Sequence, residues 1–270
     1  MYTILQVSNI SDELSIEIET RLRNIIPSHL AEEFFEDKER RRVKNIYTLS
    51  DKELWPDCQS EIIERLKVIS PVLFYMKAHD VCMEIAPAIF LIEYQSYNAI
   101  EISCSSELIQ ILSMYGIQFE LSVYAETFKS KELGEEIPEP IPPSPMNCIL
   151  HVRKLGSEND FNQLIDKILF CRVDIPMNIN ESYAEGHNLT IMLSNALGWY
   201  DNHNKIMETL EVILPALAFA SSLGASFEIT VIFDMMEYRH RFLTCFCVAD
   251  KFIQLLAKFN MKFTATIALE

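Results

Sequence analysis

The sequence lacks the features by which many membrane proteins, secreted proteins and nucleotide-binding enzymes are recognised. No apolar run approaches the ~20 residues that a membrane-spanning helix needs, so no membrane association is expected. The N-terminus carries neither a basic segment nor a small-residue cleavage motif, so we expect no signal peptide and a cytoplasmic protein. With only 6 glycines, the chain offers no glycine-rich loop that could cradle a phosphate group.

Motifs for hydrolytic or metal-dependent catalysis are also missing. None of the 6 histidines lies in a Gly-x-Ser-x-Gly or His-Glu-x-x-His context. The 7 cysteines sit mostly in apolar stretches, which favours buried, reduced thiols. Cys245 and Cys247 share one face of a predicted strand, but no second pair at zinc-site spacing accompanies them. We therefore expect no catalytic residues, no cofactor and no metal.

Positive charge is scarce. The chain has 23 Lys and Arg against 39 Asp and Glu, a net charge of −16. Most of this negative charge lies in residues 1–126, whose net charge is −10. The net charge is −2 for residues 127–145 and −4 for residues 146–270. Such a field repels phosphate backbones and attracts a basic protein. The charge therefore argues against nucleic-acid binding and favours a basic protein partner, although solubility alone would also explain it.

The sequence contains an internal duplication. One stretch of the first half recurs in the second half at a constant spacing of 144 residues, with both tryptophans of the chain in the matching positions. The recurring residues are Leu49, Ser50, Trp55, Asp57, Ile62, Glu64, Leu66, Val68, Ile69 and Pro71, which match Leu193, Ser194, Trp199, Asp201, Ile206, Glu208, Leu210, Val212, Ile213 and Pro215. An internal duplication of this kind indicates two copies of one structural unit.

The repeat register sets the predicted domain boundaries. Matches continue outward from this stretch, so the first repeat domain spans 1–126 and the second spans 146–270. Between them, residues 127–145 are rich in proline and glutamate, which favours an extended, semi-rigid linker. Each half has the usual size of a domain with its own core. We therefore expect each half to fold alone when the chain is cut within 135–144.

Each repeat is predicted to be an α+β domain of order β-α-β-α-β-β-α-β, with helices layered on a mainly antiparallel sheet. Ser11 and Ser157 are typical helix N-caps, and Gly116 and Asn260 are suited to ending a helix. In the last third, the runs Ile89–Tyr94 and Ala99–Cys104 read as a hairpin, as do Phe227–Phe233 and Phe242–Cys247.

An acidic run in the first repeat provides the candidate partner contacts, which are Glu32, Glu33, Glu36, Asp37 and Glu39. They precede a basic cluster, Arg40, Arg41, Arg42 and Lys44, and this polarity complements the dipole of a helix. A solvated helix face explains the same pattern, and exposed charges are usually minor in energy. The second repeat has no counterpart, which makes functional divergence of the first repeat a hypothesis.

Two Trp-x-Asp pairs mark the repeats, Trp55 with Asp57 and Trp199 with Asp201. A ring beside a carboxylate can form a small-molecule pocket. A core tryptophan beside an aspartate that caps the next helix is the more economical interpretation. We therefore assign these residues a structural role.

Most of each repeat, and so nearly the whole chain, resembles a bacterial family of small α+β domains of unknown function. The likeness rests on a hairpin, a helix ending in Leu112-x-x-Tyr115-Gly116, a strand ending Glu120–Tyr124, and an upstream tryptophan. The second repeat departs from the pattern at Asn260 and Ala268. Some members of that family lie in polymorphic-toxin loci whose small acidic genes encode immunity proteins. The resemblance implies no catalytic residues.

Together these observations predict an acidic, non-enzymatic binding protein, most plainly an immunity protein that neutralises a basic toxin domain. The alternative is a small-molecule sensor or scaffold with its site between the two repeats. A sensor is expected to have an apolar pocket lined by Trp55, Trp199 or both, whereas a toxin-binding protein is expected to have one acidic surface patch.

Overall fold

The computed structural model describes residues 1–35, 45–90, 99–124, 145–171, 177–182, 186–234 and 243–268. Within these residues, the chain forms helices and strands in the alternating order of an α+β protein, which confirms the predicted class. The first repeat contributes β1 (Tyr2–Ser8), α1 (Asp12–Ile25), α2 (Ser28–Phe34), β2 (Ile46–Ser50), α3 (Trp55–Val68), α4 (Ser70–Ala78), β3 (Cys82–Phe90), β4 (Ala99–Cys104), α5 (Ser106–Tyr115) and β5 (Ile117–Tyr124).

The second repeat has a similar series of elements. It contributes β6 (Asn147–Leu155), α6 (Glu158–Phe170), β7 (Met177–Ser182), β8 (Gly186–Ser194), α7 (Trp199–Val212), α8 (Leu214–Ser222), β9 (Ser226–Asp234), β10 (Leu243–Val248), α9 (Asp250–Lys258) and β11 (Lys262–Ala268). Strand β7 stands where the first repeat has helix α2, and both repeats have more elements than the predicted order β-α-β-α-β-β-α-β. Among the described residues, no helix has the length and apolar character needed to cross a membrane.

Short sequence signals define the helix ends as predicted. The Ser11 hydroxyl accepts a hydrogen bond from the Leu14 amide at 3.2 Å, and Ser157 caps α6 in the same way. Gly116 follows α5 with φ +69°, and Asn260 follows α9 with φ 51°. Both residues therefore end their helices in the left-handed conformation, which confirms the prediction for each repeat.

The chain divides into two compact units, and each unit takes a short segment from the other repeat. Unit 1 consists of Met1–Glu93, Glu107–Glu126 and Arg241–Gln254, and unit 2 consists of Tyr94–Ser106, Thr127–His240 and Leu255–Glu270. The borrowed segments contain β10 and β4. Each unit thus combines most of one repeat with a short segment of the other, and the domain boundaries 1–126 and 146–270 stay a prediction.

Each unit is built on one mixed sheet. Sheet 1, in unit 1, has the strand order β10-β5-β3-β1-β2, and sheet 2, in unit 2, has the order β4-β11-β9-β6-β8-β7. The pairs β3–β5 and β9–β11 are parallel, and the remaining neighbours are antiparallel. The prediction of mainly antiparallel sheets is therefore confirmed.

The predicted hairpins are wrong. β3 lies in sheet 1 and β4 in sheet 2, while β9 lies in sheet 2 and β10 in sheet 1. β4 instead pairs with β11, and β10 pairs with β5. The alternation of apolar and polar side chains decides which face of a strand is buried. β4 and β10 have the same alternation at equivalent positions. The pattern therefore fits either sheet and does not select the partner.

Candidate partner-binding site

Helix α2 is anchored to unit 1 by aromatic packing. Phe34 and Phe35 are buried and lie with their ring centroids 5.4 and 5.9 Å from that of Tyr47 on β2. Burial raises the pKa of Tyr47 to about 12. This packing fixes the face of α2 that turns inward, and it leaves Glu32 exposed and Glu33 partly exposed.

A buried arginine organises the carboxylates beside α2. The side chain of Arg65, on α3, is only 5% exposed. Its Nη2 donates to Glu33 Oε1 at 2.6 Å and to Glu61 Oε1 at 2.7 Å, and its Nη1 donates to the Thr48 carbonyl oxygen at 3.0 Å. Asp51 completes the cluster, because one carboxylate oxygen from each of Glu33, Asp51 and Glu61 lies within 4.8 Å of the others.

The Ser50 hydroxyl fixes the second oxygen of Glu61, to which it donates at 2.6 Å. Glu61 is thus held from two sides, by Ser50 and by Arg65. Three acidic oxygens this close could each offer a ligand to a divalent cation. Here the guanidinium of Arg65 already bridges two of the three carboxylates and supplies positive charge, so an ion-pair network accounts for the arrangement.

Acids are also exposed on α2, on α3 and in the turn between β2 and α3, and together with the network we call them the acidic patch. Glu32, Asp51, Glu53, Asp57 and Glu64 are all exposed. Only Lys52 and Lys67 add exposed positive charge to the described stretch 45–68. A surface with this excess of carboxylates attracts cationic groups and repels anionic ones.

An apolar groove lies against the buried end of the arginine. It is shallow, with a volume of about 10 Å³, and is lined by side chains of α2 and α3 and the turn before α2, including Pro27, Leu30, Val68 and Arg65. Val68 is 40% exposed. Apolar surface rimmed by charges is the composition of many protein-binding surfaces.

The second repeat lacks the same cluster. At the spacing of 144 residues, Asp51 is matched by Asn195, Glu61 by Lys205, and Arg65 by Thr209. The carboxylates and their organising cation are therefore replaced together. Asp57 and Glu64, in contrast, are matched by Asp201 and Glu208, which are also exposed. The two copies of this helix thus differ in the network and agree in two surface acids.

The predicted contact residues have different positions. Glu32 is exposed as expected, whereas Glu33 is held by Arg65 and so is a structural residue as well as a surface acid. The other three predicted contacts, Glu36, Asp37 and Glu39, lie outside the described residues. Sequence reasoning missed Arg65, Asp51 and Glu61. A usable signal existed, because Glu61 and Arg65 are four residues apart on one helix and both change in the second repeat.

Both tryptophans belong to the cores of their own units. Trp55 is 4% exposed and contacts Phe119 edge-on, with ring centroids 6.1 Å apart, and Trp199 is 9% exposed and contacts Phe263 at 6.2 Å. Their inward positions agree with the structural interpretation and leave neither ring as the wall of an open apolar pocket.

The aspartates of the Trp-x-Asp pairs do not cap the helices, contrary to the expectation. The N-cap positions are Leu54 and Gly198, without a side-chain cap bond, and Asp57 and Asp201 lie inside the first turn. The tryptophan itself begins each helix, which moves the aspartate beyond the cap. A carboxylate there still stabilises the positive end of the helix dipole.

The expectation of buried thiols holds for only part of the set. Cys58, Cys104 and Cys148 are buried, whereas Cys82 and Cys245 are exposed and Cys171 and Cys247 are intermediate. Burial raises the pKa of Cys148 to about 12. Cys245 and Cys247 share a face of β10 with Glu120 of β5 nearby, and burial and this carboxylate raise the pKa of Cys247.

Comparison with known proteins identifies no relative. No family model matches the chain, and neither a curated protein nor a solved structure is found to be similar to it.

Proposed function

We propose that this protein is a non-enzymatic binding protein that captures a basic protein partner on the acidic patch of unit 1, and that the partner is a toxin domain which the chain neutralises as an immunity protein. The observation that carries the proposal is the Arg65-organised cluster of Glu33, Asp51 and Glu61, together with the exposed acids of the acidic patch. Fixed carboxylates lose little conformational entropy on binding.

The chemistry of the patch suggests how neutralisation would work. Many toxins that act on nucleic acids carry basic clefts for the phosphate backbone, and a rigid group of carboxylates can occupy such a cleft in place of phosphates. Charge complementarity also accelerates encounter, and the rate then falls steeply with salt. The groove beside the patch would add apolar contact, which the charges alone do not provide.

The asymmetry of the repeats supports a single contact site. The network is present in the first repeat and is replaced in the second by Asn195, Lys205 and Thr209. Duplication followed by loss of the cluster from one copy would leave that copy to a structural role. A small-molecule site lined by the tryptophans has less support, because both rings are buried in the unit cores.

The test uses charge reversal with a matched control. Asp57→Lys with Glu64→Lys changes two exposed acids of the acidic patch, and Asp201→Lys with Glu208→Lys makes the same change at the equivalent positions of α7. The binding partner is a purified basic toxin domain, sought first among the products of the neighbouring genes. We expect the first variant to lose about tenfold or more in affinity and to fail to rescue growth, whereas the second retains both.

Equal losses in both variants would show general electrostatic attraction without a site on unit 1. Unchanged binding in both variants would exclude the acidic patch as the contact. The absence of a toxin domain among the neighbouring genes, together with no rescue of growth against any toxin tested, would remove the immunity function itself.

A further inference from the structure

The two repeats exchange one strand each, and they do so in the same register. In sheet 1, Val248 of β10 lies opposite Phe119 of β5. In sheet 2, Cys104 of β4 lies opposite Phe263 of β11. Cys104 and Val248 are 144 positions apart in the sequence, and so are Phe119 and Phe263, so the two pairings are equivalent. The same strand position in each sheet is therefore filled by the other repeat.

The exchanged strands contribute to the core of the unit that receives them. β10 brings Phe246 and Val248, which are 1% and 2% exposed, into unit 1. β4 brings Ile100, Ile102 and Cys104, all at most 6% exposed, into unit 2. Each receiving strand, β5 or β11, would otherwise be an unpaired edge with its backbone groups free to pair.

Chain length permits either arrangement. Eight residues separate β3 from β4, and eight separate β9 from β10. We call a repeat closed if it keeps its own strand in its own sheet. The connection from β3 to β4 would then pass over β5, and that from β9 to β10 over β11, each a step of two strand spacings or ~9.5 Å. Eight residues can reach ~26 Å, so the closed arrangement is open to the chain as well. The exchange is thus a choice between two pairings of equal register, as in domain swapping.

We propose that the reciprocal exchange of β4 and β10 holds the two repeats together. Each repeat is completed by the other repeat, and the chain between β5 and β6 is not needed for their association. The protein is then the covalent equivalent of a strand-exchanged dimer of a single repeat. This proposal is independent of the acidic patch and of the proposed function.

Residues at the exchanged pairing offer a direct test in the full chain. Ser122 lies opposite Cys245, with Oγ and Sγ 3.6 Å apart. Ser122→Cys therefore places two sulfurs within reach of a disulfide bond. In a closed repeat, residue 122 would face Glu101, the residue 144 positions before Cys245. The matched variant for the closed form is Glu101→Cys with Ser122→Cys and Cys245→Ser.

Both variants are oxidised, and disulfides are assigned by peptide mass mapping and non-reducing electrophoresis. We expect the first variant to lose the free thiols of residues 122 and 245 as a monomer, and the closed-form variant to keep its thiols. In unit 2, Glu101→Cys with Thr266→Cys should also cross-link, because these residues face each other across β4 and β11. Cross-linking of the closed-form variant, cross-linking only between chains, or no cross-link in any variant would each overturn the proposal.

A cut in the chain between the repeats gives the second measurement. A site for a specific protease is inserted between residues 134 and 144, and the native protein is cleaved and passed over a sizing column. We expect the two fragments to elute together at the position of the uncut chain and to separate only in denaturant. Separate elution in native buffer would show that the covalent connection, and not the exchange, joins the repeats.

Discussion

Arg65 on α3 donates a 2.6 Å hydrogen bond to Glu33 on α2, and this contact ties together two helices of unit 1 whose residues are 32 positions apart. The guanidinium is buried, while the Glu33 side chain is 34% exposed. Replacing a buried cation costs more free energy of unfolding than its ion pairs contribute net, because the carboxylates are left without their counter-charge.

Arg65→Met should therefore destabilise the protein by about 3 kcal/mol, the lower end of the range for breaking a buried ion pair, since both carboxylates are partly exposed. Chemical denaturation measures the free energy of unfolding. Lys67→Met is the matched control two residues away, because its ion pair with Glu107 is more than half exposed on both sides. That change should cost less than about 1 kcal/mol. Equal losses in the two variants would contradict the structural role of the buried network.

The tryptophans provide a second prediction, one for each unit. Trp55→Ala and Trp199→Ala should each cost about 3–5 kcal/mol, because each removes a large buried ring and leaves a cavity. Tyr200→Ala is the control, since Tyr200 follows Trp199 directly and is 78% exposed. It should change the free energy of unfolding by about 0.5 kcal/mol or less. A tryptophan variant with unchanged stability would place that ring outside the core.

The helix-ending residues give a third prediction. Gly116 has φ +69°, and a Cβ built there meets no atom within 4 Å. Gly116→Ala therefore tests backbone strain alone and should cost about 1 kcal/mol. Asn260→Gly, at the equivalent position with φ 51°, should have the opposite sign and stabilise by a few tenths of a kcal/mol. Thermal unfolding of the two variants distinguishes these outcomes, and a neutral Gly116→Ala would show that the left-handed turn is not maintained.

Local signals predicted much of the fold, because the forces involved act within a few residues. The serine caps and the positive-φ residues that end α5 and α9 are set by the backbone next to them. The partners of β4 and β10 were not predictable in this way. Both strands bury alternate side chains and match the same edge, so local pattern leaves two pairings of similar quality.

The site was predictable only in part for a related reason. Acidic composition indicated a charged surface on the first repeat, and Glu32 lies on it. The organising contact of Arg65 joins α2, β2 and α3, which are distant in sequence. A helix of mixed charge usually has its arginine in solvent, and only tertiary packing makes this one buried.

Glu84 and Glu228 occupy the same position in the two repeats but have different surroundings, and this difference yields a fourth prediction. Burial, and to a smaller extent the charge of Glu120, raises the pKa of Glu84. Because the folded pKa lies above the unfolded value of ~4.3, stability from protonated Glu84 is present below that value and is lost as pH rises through the folded pKa. Glu84→Gln should therefore raise the free energy of unfolding at neutral pH, with the gain shrinking as the pH approaches ~4.

Glu228 serves as the matched control for that change. Its carboxylate lies 3.0 Å from Arg153 and accepts a hydrogen bond from Thr264 at 2.9 Å, so its charge is compensated. The charge of Glu84 instead lies near a second carboxylate, that of Glu120. Glu228→Gln removes an ion pair whose arginine is half exposed and should lower stability by about 0.5–1 kcal/mol at neutral pH. Urea unfolding of both variants between pH 4 and pH 8 measures the two signs. Two results would contradict the role of Glu84 and Glu120 in the pH dependence of stability. One is a change in the free energy of unfolding by Glu84→Gln that does not depend on pH. The other is a change of the same sign in both variants.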